Sequence, residues 1–133
     1  MDVNYTDPKG INSFWIACNY GHGGVMKVLA EKGADIMNTN KKGVNVLHNA
    51  AKRNYRNIVK MLIQSHFPLD LKSKKGETAM AFGAKNGHLG ILKELYKAGA
   101  DLNETDADGI GPLYLAILHN HIECAIYLIE KGA

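Results

Sequence analysis

Apolar residues recur along this chain at two spacings, three or four positions within short runs and 33 positions between runs. Val25, Val28 and Leu29 stand at i, i+3 and i+4, the spacing of one face of an amphipathic helix. The stripe returns as Ile58, Met61 and Leu62 and again as Cys124, Tyr127 and Leu128, while Glu94 interrupts the third run. A shorter apolar run precedes each stripe. In it Phe14, Leu47, Met80 and Leu113 share a column, and three residues on Ala17, Ala50, Gly83 and Ala116 form a column of small side chains. The pattern predicts four pairs of helices, the first pair over about residues 14–20 and 24–32, with small residues where the helices approach closely.

The punctuation between runs keeps the same period. Gly10, Gly43, Gly76 and Gly109 stand in one column, and Asp7-Pro8-Lys9-Gly10 reads as a turn in which proline presets φ and glycine admits a positive one. Two residues on, Asn12, Asn45, Thr78 and Gly111 occupy the N-cap position of the first helix, with Pro112 at the favoured first helical position of the fourth. That helix ends at Gly21, Asn54, Gly87 or Asn120, the two residue types that enter the left-handed region most readily. The second helix closes at Gly33, Gly99 and Gly132, but at His66 in the second unit. A left-handed histidine carries strain, and Pro68 just beyond it stops the helix regardless.

A period in this range marks a solenoid. The columns resemble the ankyrin repeat, a β-turn plus two helices with a Thr-Pro-Leu-His opening, of which Thr78, Pro112 and His48 each keep one residue. The resemblance covers essentially the whole chain. It implies an all-α solenoid of stacked helix-turn-helix units with projecting β-turn loops, a single domain over 1–133 with repeats at about 5–37, 38–70, 71–103 and 104–133. Asp2-Val3-Asn4 aligns with Asp101-Leu102-Asn103, and the last residues, Lys131-Gly132-Ala133, fall where the next such segment would begin. Since arrays usually carry polar capping repeats, the chain is expected to be an excerpt of a longer array. Its uncapped end, bearing Ile122, Ile126 and Ile129, is expected to support weak self-association.

Composition narrows the chemistry. At 46% hydrophobic and 22% charged residues the chain is neither disordered nor a membrane span, and no signal-type leader opens it. Cys18 and Cys124 lie in different repeats, which fits two reduced core thiols and a cytoplasmic or nuclear setting rather than a disulfide or metal site. His22, His88 and His121 share a column with Tyr55, so the fold accounts for them. The resemblance implies that His48 bonds neighbouring backbone. Glu104 to Gly109 imitates half a calcium loop, but the twelfth position, which must supply a bidentate carboxylate, is Leu115. No nucleophile accompanies the glycines of Gly21-His22-Gly23-Gly24, and no phosphate-cradling loop is present. The expectation is a non-enzymatic chain without metal or cofactor.

Charge changes the picture most. The net charge of +3 conceals six Lys/Arg against one Asp over residues 39–71 and six against three acidic residues over 72–103. Residues 104–133 hold one lysine against five acidic residues. Ankyrin proteins bind partners with their turn tips and the concave side of the first helices. Carried over by column, that surface holds Lys41, Lys42, Lys52 and Arg53 in the second repeat and Lys74, Lys75 and Lys85 in the third. Tyr20, Ile11, Ile110 and Leu118 flank them. The expected function is a protein-recognition or scaffold module for an acidic partner segment. Phosphate or anionic lipid headgroups are the competing ligands, and a passive spacer the competing role. Nucleic acid is disfavoured because no aromatic ladder interleaves the lysines.

Overall fold

A computed structural model describes residues 2–133. Eight α-helices follow in order: α1 Ser13–Asn19, α2 Gly23–Glu31, α3 Val46–Arg53, α4 Arg56–Gln64, α5 Ala79–Lys85, α6 Leu89–Lys97, α7 Pro112–Leu118 and α8 Ile122–Glu130. Among the described residues there is no strand. Each odd helix packs on the even helix that follows it. The odd helices also pack on one another in sequence, as do the even ones, so the chain forms two helical layers.

The helix starts follow the predicted caps. The side chains of Asn12, Asn45 and Thr78 accept the backbone N–H of Trp15, His48 and Ala81 at 3.0, 2.8 and 3.2 Å. Gly111 lacks a side-chain cap, and Pro112 at the helix start has no backbone N–H that would need an acceptor. The first helices end on Gly21, Asn54, Gly87 and Asn120, all at positive φ. His66 adopts φ 61° in the column where its counterparts are glycines, so the strain expected there is present.

The core runs the length of the stack. Leu47, Met80, Leu92, Leu95 and Leu128 are fully buried. Gly83 stands in the alanine column for a packing reason: a Cβ there would lie 3.1 Å from Leu92 and 3.3 Å from Ile91. Glu94 does not open a hole in the third apolar stripe. Its carboxylate reaches back to α4, 2.9 Å from Arg56 and 3.9 Å from Lys60, and the Arg56 bond holds its carboxyl below the usual carboxylate range.

A second column joins repeat to repeat. Tyr55, His88 and His121, each at the start of an even helix, donate to the carbonyls of Asn19, Lys52 and Lys85 at 3.0, 3.0 and 2.9 Å. These carbonyls end the preceding repeat's first helix and lack an intrahelical donor. A carbonyl can only accept, so in both bonds the imidazole Nε2–H is the donor. His22 in the first repeat stacks on Tyr20 instead, with ring centroids 6.4 Å apart.

Candidate partner-binding groove

The groove is built from the turns upward. In the second turn Asn40 Oδ1 accepts the backbone N–H of Lys42 at 2.9 Å and of Val44 at 3.0 Å. Asp106 pins the fourth turn the same way, and in the third Ser73 Oγ accepts from Glu77 N at 3.2 Å. Adjacent turns are then stitched together. Lys74 N donates to the Lys42 carbonyl at 3.0 Å, and Ala107 N to the Lys75 carbonyl at 2.9 Å. This approach requires glycine, since a Cβ on Gly43 would lie 2.9 Å from Lys74 N and one on Gly76 2.7 Å from Ala107 N.

Between these tips and the ends of α1, α3 and α5 lies a groove of about 550 Å³. Lys9, Lys41, Lys42 and Lys75 rim it from the turns, and Lys52, Arg53 and Lys85 from the helix ends. Ile11, Trp15, Val44 and Phe82 make an apolar floor, with Asn19, Asn40 and Asn49 among them. Glu77 is the one carboxylate in the lining, and its Oε1 accepts from Ser73 Oγ at 3.2 Å. Ion pairs among the described residues join Arg56 and Lys60 to Glu94, and Lys72 to Glu104, all outside the groove. The rim cations therefore face solvent without an acidic partner.

Turn geometry does not demand these lysines, because Pro8-Lys9 and Ala107-Asp108 fill the same positions in the first and fourth repeats. Like charges set side by side on paired backbone are destabilising. Their concentration in the two middle repeats is a property of the surface, not of the fold.

Six of the predicted residues come together in the groove: Lys41, Lys42, Lys52, Arg53, Lys75 and Lys85. Lys74 lies outside its lining, its chain packed over Gly43. Tyr20 caps α1 and is exposed, Ile110 is half-buried at the fourth turn, and Leu118 is exposed at the end of α7, so none of the three lines the groove. Sequence reasoning missed Trp15, Phe82 and Asn49. Trp15 shares a column with His48, Ala81 and Tyr114, of which only Tyr114 is exposed, so no repeated surface residue type marks that column in the sequence.

A hydrogen-bonded chain crosses the groove floor. Arg53 Nε donates to Asn49 Oδ1 at 3.3 Å, and Asn49 Nδ2 donates to Asn19 Oδ1 at 3.2 Å. Asn49 is buried, so this chain fixes the base of the guanidinium and leaves its two terminal nitrogens toward solvent. Beneath the floor Cys18 donates to the Val46 carbonyl at 3.3 Å, and burial pushes its thiol up to about 12. A thiol so placed stays protonated at neutral pH and is no nucleophile. His48 and its neighbours lie behind the floor. Among the described residues no group of three or more His, Cys, Asp or Glu is placed to hold a metal ion, and no helix is long and apolar enough to cross a membrane.

Fold and groove together define a helical-repeat solenoid with a charged concave surface. A family model of ankyrin repeats in three copies matches residues 1–71, and one of ankyrin repeats in many copies matches residues 80–129. The chain belongs to the ankyrin repeat family. Its members are generally protein–protein interaction modules and typically not enzymes. No curated protein matches the sequence.

Proposed function

We propose that this chain is a non-enzymatic recognition module whose concave groove binds an acidic segment of a protein partner. The observation that carries the reading is the imbalance of the groove lining, seven cations against the single carboxylate of Glu77. Equivalent residues of packed repeats stand about 10 Å apart, close to the Debye length at physiological salt, so the cations of two repeats attract one ligand together. The stitched turns hold them in place before binding, which lowers the ordering cost on this side of the interface.

The test is charge reversal at Lys42, Arg53 and Lys75 to Glu, read by anisotropy of a fluorescein-labelled glutamate-rich peptide over a salt series. The control reverses Lys27, Lys32 and Lys93, which lie on or just beyond the even helices outside the groove. Lys60 is unsuited as a control because it neighbours Glu94. The groove variant is expected to lose peptide binding and its salt dependence while keeping its circular dichroism. Equal binding by both variants refutes the basic groove as the site.

A further inference from the structure

The groove is not simply a basic surface, because its floor is apolar. Trp15 and Phe82 are each only 8% exposed, and both line the groove together with the half-buried Val44. Trp15 is held in this pose by its indole N–H, which donates to the Val44 carbonyl at 2.9 Å. Above this patch stands Arg53, with Nε already engaged by Asn49. Its two terminal nitrogens form an edge that matches both oxygens of one carboxylate.

Resting on the reading that the groove binds a partner segment, we propose that this segment carries an apolar side chain flanked by carboxylates. The apolar side chain seats on Trp15, Val44 and Phe82, one carboxylate meets the free edge of Arg53, and others meet the lysine rim. Asn49 acts as a positioning residue for Arg53. The same features disfavour other anionic ligands. A planar membrane touches a concave surface only at its rim. Nucleobases need an exposed aromatic face for stacking, and Trp15 and Phe82 are each only 8% exposed.

Trp15 is the only tryptophan in the chain, so its emission reports occupancy of the floor. The experiment uses two labelled peptides of equal negative charge, one with a central leucine between glutamates and one with serine in its place. It also uses a vesicle of anionic phospholipid and a single-stranded oligonucleotide. Wild type is expected to bind the leucine peptide at least tenfold more tightly than the serine peptide, the ratio that burying one such side chain supplies at roughly 25 cal/mol per Å². Trp15 emission should move only with the leucine peptide. Val44→Gln, the uncharged analogue of Glu77 in the same column, should erase the tenfold ratio by weakening the leucine peptide. Arg53→Lys should weaken both peptides several-fold, since it keeps the charge but not the paired geometry. Equal affinity for the two peptides with unmoved Trp15 emission overturns the apolar anchor and leaves the acidic-segment reading standing. Failure of both peptides to bind at about 1 mM overturns both readings. Tighter binding of the vesicle or the oligonucleotide than of the leucine peptide overturns the assignment to a protein segment.

Discussion

His48 makes this fold sensitive to acid in a way that can be isolated. It is 1% exposed and stands at the third position of α3, where it forms a reciprocal capping box with Asn45. Its Nδ1 accepts the Asn45 backbone N–H at 3.2 Å, and its Nε2–H donates to the Leu71 carbonyl at 2.8 Å. A proton on Nδ1 would set two donors against each other. Burial lowers the His48 pKa below its ordinary 6.5, against the smaller opposing effects of the Leu71 carbonyl and the Glu77 carboxylate. The unfolded imidazole therefore takes up its proton first as pH falls, and the unfolded state binds more protons from about pH 6.5 down to the lower folded value. Stability is lost as pH falls through that window, by at most about 1.4 kcal/mol per pH unit.

The comparison variant is His48→Gln. Glutamine is a standard partner at this position of a capping box, so the helix start survives. The loss is the Leu71 bond and the contact with Phe82, whose ring centroid lies 5.3 Å away. This should cost about 1–3 kcal/mol at pH 7.5. Urea unfolding followed by circular dichroism, repeated from pH 7.5 to 5, gives both quantities. Wild type should lose more stability on acidification than the variant, by at most about 1.4 kcal/mol per pH unit below about pH 6.5. Identical pH profiles for the two proteins would refute the account, whatever their absolute stabilities.

Three further outcomes are expected. Gly43→Ala should destabilise more than Gly109→Ala in thermal unfolding: both need positive φ, but only at Gly43 does a Cβ meet Lys74 N, at 2.9 Å. His66→Gly should raise the melting temperature by about 2–4 °C, because it relieves roughly 1 kcal/mol of left-handed strain at φ 61° and returns less in chain entropy. Tyr114, Ile117, Ile126 and Ile129 are exposed together on the α7–α8 end of the stack. Ile117→Glu with Ile126→Lys should suppress concentration-dependent oligomers seen by sedimentation, and unchanged self-association would exclude that face.

What the sequence determines here is local and periodic. Helix starts at Asn12, Asn45 and Thr78, and stops at Gly21, Asn54, Gly87 and Asn120, are written in residue types whose backbone preferences act within one turn of chain. The period multiplies each such signal by four, so the helical solenoid is legible even though the opening motif is degraded. The basic columns are legible for the same reason, and six of the seven predicted lysines and arginines meet in one groove. Tertiary structure decides what depends on the offset between repeats. Tyr55, His88 and His121 read as one column, but nothing in that column says that each reaches back to a carbonyl of the preceding repeat. Glu94 reads as a break in a stripe until Arg56, 38 residues earlier in the chain, is brought beside it. Nothing in the sequence marks Trp15 as part of the groove, and Lys74 and Lys75 read alike as tips of one turn. Packing between repeats sets Lys74 over Gly43, outside the groove lining, and brings Trp15 into that lining. Column position specifies which residues are equivalent, and only packing between repeats specifies which way each of them faces.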